Sequence, residues 1–97
     1  MSIHNLINQM EYDRRQAQHY IRDCLSIVIE RVREDTVSSM DFFVLGECNA
    51  HAKTYGWLKT RNNIERAAVY MCDEGVEQES VISALNRALK NLSNESK

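Results

Sequence analysis

Nothing in the first 45 residues of this chain obliges the backbone to leave a helix: there is no proline anywhere, and the first glycine is Gly46. Proline removes a backbone donor and clashes with the preceding turn, and glycine is entropically costly to fix, so both common interruptions are missing. The apolar residues of this stretch recur at helical spacing. Ile3, Ile7, Met10, Arg14, Ala17, Ile21, Cys24 and Val28 step alternately by four and three, a heptad seam with one charged position. Ser2 reads as its N-cap. The spacing predicts one helix over residues 3–34, unless the polar stretch Glu11 to Gln16 interrupts it. Unbroken, such a helix is about 48 Å long, whereas a domain of this size is about 30 Å across. Either the front part folds back at a kink, or it overhangs and leaves an apolar seam that needs a partner to cover it.

The remainder reads as three shorter helices. Asp35 to Ser39 is the first linker, and Ser38 with Asp41 three residues later resembles a capping box that opens the second helix. That helix carries Phe42, Phe43, Leu45, Cys48, Ala52 and Tyr55 and ends at Gly56. A third starts near Thr60 as its cap, carries Ile64, Ala67, Ala68, Met71 and Cys72, and is closed by Gly75. The fourth has the clearest pattern: Val81, Ile82, Leu85, Ala88, Leu89 and Leu92, with Glu77 and Glu79 at the positive end of its dipole. Residues 93–97 are expected to fray. No segment alternates as a strand would. The expectation is an all-α domain over 1–97, a small bundle of about four helices with a long N-terminal helix.

Composition narrows the function classes. Ninety-seven residues hold one domain, and 43% hydrophobic with 27% charged residues is globular composition. A net charge of −2 announces neither a nucleic acid nor a membrane. No apolar run approaches the roughly 18 residues of a membrane span, and the N-terminus lacks the pattern of a signal peptide. A cytoplasmic protein is expected. Cys24, Cys48 and Cys72 are odd in number and far apart, so they read as small buried apolar residues rather than a disulfide framework.

The stretch Gly75-Val76-Glu77-Gln78-Glu79-Ser80-Val81-Ile82-Ser83-Ala84-Leu85 resembles the turn and second helix of the repressor helix-turn-helix motif. The resemblance implies a left-handed glycine in a tight turn and apolar residues locking two helices. Met71 stands where that motif has a small residue and Glu74 where it has an apolar one, while Glu77 and Glu79 would face phosphates with the wrong charge. An ordinary helical hairpin accounts for the same pattern. Charge is also unevenly placed: residues 51–70 carry Lys53, Lys59, Arg61 and Arg66 against Glu65 alone. Interleaved with Tyr55, Trp57 and Tyr70, these cations form a candidate nucleic-acid surface, with Lys53, Trp57, Lys59, Arg61 and Arg66 as contacts. The competing reading packs Trp57 and Tyr55 in the core and leaves the cations in water.

Chemistry is poorly represented. Cys48 and His51 are three apart and give half of a metal site, but His4, His19, Cys24 and Cys72 offer no second ligand pair, so no metal or cofactor is expected. No histidine lies in a nucleophile signature, and three glycines are too few for a phosphate-cradling loop, so no catalytic residue is assigned. Tyr12, Tyr20, Arg14, Arg15, Arg22, Arg31 and Arg33 lie on or beside the seam of the first helix, and tyrosine and arginine are the types enriched at protein interfaces. The expectation is a non-enzymatic regulatory or accessory protein of inhibitor, immunity or adaptor type, from a bacterium or phage. It would bind a partner protein through Tyr12, Arg14, Arg15, Ile21 and Arg22, with self-association along the same seam possible. A small DNA- or RNA-binding regulator is the alternative.

Overall fold

The structure, a computed structural model, describes residues 3–97; the expected cap at Ser2 lies outside the described residues. Four helices follow in chain order, α1 (Ile3–Arg33), α2 (Ser39–Thr54), α3 (Leu58–Met71) and α4 (Gln78–Glu95), with no strand among the described residues. The chain is thus the small all-α bundle that the periodicity indicates. α1 runs unbroken through Glu11 to Gln16. With no proline or glycine to open its ladder, the polar stretch changes the surface of the helix and leaves its course alone.

The corners are built from local chemistry. α1 and α2 close in the same way, with a residue in the left-handed region followed by two backward hydrogen bonds. At the end of α1, Asp35 adopts φ 56°, the Asp35 amide donates to the Val32 carbonyl at 3.2 Å, and the Thr36 amide donates to the Arg31 carbonyl at 2.9 Å. At the end of α2, Gly56 has φ 72°, and the amides of Gly56 and Trp57 donate to Lys53 and Ala52. The capping pair at α2 is present: the Ser38 amide donates to the Asp41 carboxylate at 2.8 Å. Arg31 of α1 donates to that carboxylate, also at 2.8 Å, and to the Thr36 carbonyl, which pins the α1–α2 corner. Asp41 is buried. Burial works to raise its pKa, but the Arg31 and Ser38 hydrogen bonds outweigh that and hold the carboxyl below its usual range.

Two expectations about the ends of α3 need correcting. α3 starts at Leu58, so Thr60 sits inside the first turn, and the N-cap residue Trp57 has no group with which to cap. Glu95 of α4 does that work from across the bundle, accepting the amides of Lys59 (3.1 Å) and Thr60 (2.7 Å) and the Thr60 hydroxyl (2.9 Å). Burial again opposes the charge, and these donors prevail and lower the Glu95 pKa. Residues 93–97 are therefore engaged: α4 continues to Glu95, Ser96 is buried, and the Lys97 carbonyl accepts from Arg14 at 3.2 Å. The other correction concerns Gly75. α3 is capped by Cys72, and Gly56 is the one glycine with positive φ among the described residues. The connection over residues 72–77 is instead shaped by Asp73, whose carboxylate accepts the Gly75 amide at 2.9 Å. The left-handed glycine of a helix-turn-helix is not formed; the chain turns from Asp73 to Val76, where the Val76 amide donates to the Asp73 carbonyl at 3.1 Å.

Each helix packs on its chain neighbours, and α4 returns to close the ring against α1. Ile21, Leu25 and Val28 of α1 meet Leu45 and Cys48 of α2, Trp57 and Ile64, and Leu85 and Leu92 of α4 in one core. The cysteines divide: Cys48 is buried as expected, Cys24 is half-buried, and Cys72 is exposed because it caps α3 at the surface. All three are free thiols.

Candidate functional site

Helix lengths create an unusual surface at the N-terminal end of α1. At 1.5 Å per residue, the 31 residues of α1 extend about 46 Å, whereas the 18 of α4 and the 16 of α2 reach only about 27 and 24 Å. The described chain is accordingly elongated, 53 × 22 × 16 Å. The cover ends at Arg14. Its guanidinium lies 5.7 Å from the centre of the Trp57 ring, which stacks on Tyr55 at 5.1 Å. Beyond that corner every residue from Ile3 to Asp13 is exposed.

The projecting segment keeps the apolar seam. Ile3 is 78% exposed, Leu6 49%, Ile7 50% and Met10 61%. These four stand at i, i+3, i+4 and i+7, so they form one stripe along the rod. At its root, Ile7, Met10, Glu11, Asp13, Arg14 and Tyr55 line an open groove of about 410 Å³. The stripe lies on the same face that carries Ala17, one heptad beyond Met10, and Ile21, two heptads beyond Ile7, into the core. What differs is only that no second helix reaches it.

The residues expected to bind a partner are placed differently. Ile21 is completely buried and cannot touch a partner; the seam expectation was right about its face and wrong about its cover, because α2 and α4 reach that far. Arg14 is on the seam but is half-buried and engaged with Trp57 and Lys97. Tyr12 and Arg15 are exposed, and Tyr12, two residues from both Met10 and Arg14, lies about 200° around the helix from the stripe. Arg22 is exposed and shares a hydrogen bond with the His19 ring. Arg31 and Arg33 are paired with Asp41 and Glu30 within the fold. The charged and aromatic residues singled out by type are thus spread around α1, and the clustered surface is the aliphatic one. The signal for it was already in the heptad arithmetic, once the lengths of the other helices are set beside it.

The nucleic-acid alternative loses its stacking group. Trp57 is 2% exposed, sealed between Tyr55, Arg14 and the core, because it follows the α2 turn directly and is drawn inward as the N-cap of α3. Arg61 is paired with Glu65 at 3.1 Å. Lys53, Lys59 and Arg66 remain exposed cations.

A second polar cluster joins α1 to α2. The Tyr20 ring meets His51 edge-on at 5.4 Å. Burial, with the neighbouring Cys24, pushes the Tyr20 hydroxyl up to about 12, and burial raises the Cys48 thiol as well. A thiol held protonated is a poor nucleophile and metal ligand. Among the described residues, no three His, Cys, Asp or Glu side chains are placed to hold a metal ion, and no helix is long and apolar enough to cross a membrane. No known protein family, curated protein or solved structure matches the chain.

Proposed function

We propose that this chain is a small, non-enzymatic regulatory or accessory protein that acts by binding a partner protein through the projecting half of α1. One observation carries the reading: Ile3, Leu6, Ile7 and Met10 form an uncovered apolar stripe on a helix that the rest of the fold holds rigidly from Arg14 onward. Four aliphatic anchors at i, i+3, i+4 and i+7 are how an amphipathic helix seats in a hydrophobic groove. Anchoring at the root by Trp57, Tyr55 and Lys97 lowers the ordering cost of such docking. The chain would then act by occluding or bridging, as an inhibitor, immunity or adaptor protein does. The free thiols fit a reducing compartment such as the cytoplasm.

The test is capture from lysate of the source cell with a tagged copy, after nuclease treatment, comparing wild type with Ile7→Asp. Expected is a protein retained in stoichiometric amount by wild type and lost with Ile7→Asp, while circular dichroism of the two chains is the same. Retention that vanishes with nuclease, or that ignores Ile7→Asp, overturns the reading.

A further inference from the structure

The exposed stripe is complementary to itself. We infer that, when no partner is bound, a second copy of this chain covers it. The projecting halves of α1 lie antiparallel, Ile7 of each copy against Met10 of the other, and Ile3 of each seats in the groove beside Arg14 and Tyr55 of the other. This rests on reading the stripe as a docking face and adds what governs its availability: a partner must displace the second copy.

Three observations select this occupant and this orientation. First, knob and hole are both present on one molecule. Ile3 is the most exposed residue of the stripe, and the groove lined by Ile7, Met10, Glu11, Asp13, Arg14 and Tyr55 ends at Arg14, eleven residues along the same face. A two-fold axis between Ile7 and Met10 brings each Ile3 level with the other copy's Arg14, so both grooves fill at once, as an isologous contact requires. Second, charge rejects the parallel arrangement. Two parallel copies in register would stack Arg14 on Arg14 in a seam layer and would place both four-helix bodies at the same end. The antiparallel register puts the bodies at opposite ends, lays Arg14 beside an isoleucine, and brings Glu11 next to His4 of the other copy, with no like charges opposed. Third, the lengths agree. Residues 3–13 are the whole of the exposed segment, and the antiparallel pair covers that segment and no more.

The area decides the strength. Two such segments bury on the order of 1,000 Å² in total, the lower edge of what a specific interface needs. The dimer is therefore weak and set by concentration, which is what leaves the stripe open to a partner with a deeper groove.

The purified full-length chain tests this by sedimentation velocity from about 10 μM to about 1 mM, the range over which an interface of this size assembles. Expected is a shift from the 11.3 kDa chain toward twice that mass. Ile7→Asp and, separately, Met10→Asp should move the midpoint at least about tenfold higher in concentration, while helicity and melting temperature stay as in wild type, since both side chains are exposed. Isotope-filtered NMR on a mixture of labelled and unlabelled chains should show contacts from Ile3 to Tyr55 between copies. A monomer at about 1 mM, a dimer indifferent to both substitutions, or intermolecular contacts joining Arg14 to Arg14 overturns the inference. These outcomes are separable from the capture experiment. A strictly monomeric chain that still retains a nuclease-resistant protein ends the self-association and leaves the docking face standing. A dimer sensitive to Ile7→Asp, with no protein captured, does the reverse.

Discussion

The two halves of α1 carry the same heptad pattern and meet opposite fates. Ile21 is 0% exposed and Ile3 is 78% exposed, though both are isoleucines on the same face of the same unbroken helix. Local sequence cannot separate them, because nothing in their immediate neighbourhood differs in kind. What separates them is remote: α2, α3 and α4 are each roughly half the length of α1, so they run out of chain at the level of Arg14. Burial at a position is decided by whether another element is long enough to arrive there.

The widest expected gap between the halves is in stability. Leu25, completely buried, should cost about 2–5 kcal/mol when replaced by alanine, and Ile21→Asp should abolish folding outright. Ile7→Ala should change stability by less than about 0.5 kcal/mol, because its side chain is already in water. Urea unfolding of the three variants checks this, and comparable losses at Leu25 and Ile7 would erase the distinction. Next in size, Asp41→Asn removes the buried charge that holds Arg31 and the Ser38 amide, for about 1–3 kcal/mol, and the loss belongs to the body alone.

Acid should act on the body in the same way. Asp41 and Glu95 both have folded pKa values below their unfolded ones, so their contribution is fully present above the ordinary carboxylate range and is lost as pH falls through the folded values. Melting temperature should therefore fall as pH drops below about 4, and should fall less steeply in a D41N/E95Q chain whose starting stability is lower. A smaller effect runs the other way. Asp35 holds φ 56° at the end of α1, a conformation glycine adopts without penalty, so Asp35→Gly should stabilise by about 0.5–1 kcal/mol. Gly56 already meets the same requirement at the end of α2, and Gly56→Ala should destabilise by a similar amount.

The helices themselves were legible in the chain because their causes are local. Missing breakers gave α1 its length, Ser38 and Asp41 opened α2, and Gly56 closed it. Where causes are distant, local reasoning missed. The start of α3 is fixed by Glu95, which lies 35 residues away from Thr60 in sequence, and the same bond ties the end of α4 to α3. Asp73, rather than Gly75, shapes the α3–α4 connection, because a side-chain carboxylate can fold a loop without a left-handed glycine. The candidate site was half visible. Its face followed from the seam, and Ile3, Ile7 and Met10 belonged to that seam from the start. Ile21 proved to lie in the covered stretch of that seam, and Tyr12, Arg15 and Arg22, added by residue type, stand outside the aliphatic stripe, because type says nothing about which stretch of a long helix is left without a neighbour.

Hydrogen exchange along α1, read amide by amide in a dilute sample, tests the contrast between its halves most directly. Expected is strong protection from Ala17 to Val32 and a sharp drop beyond Arg14, with residues 3–13 exchanging orders of magnitude faster, as a lone exposed helix does. Uniform protection from Ile3 to Arg33 in a monomer would contradict it, since that result requires the apolar stripe to be covered by the chain's own fold.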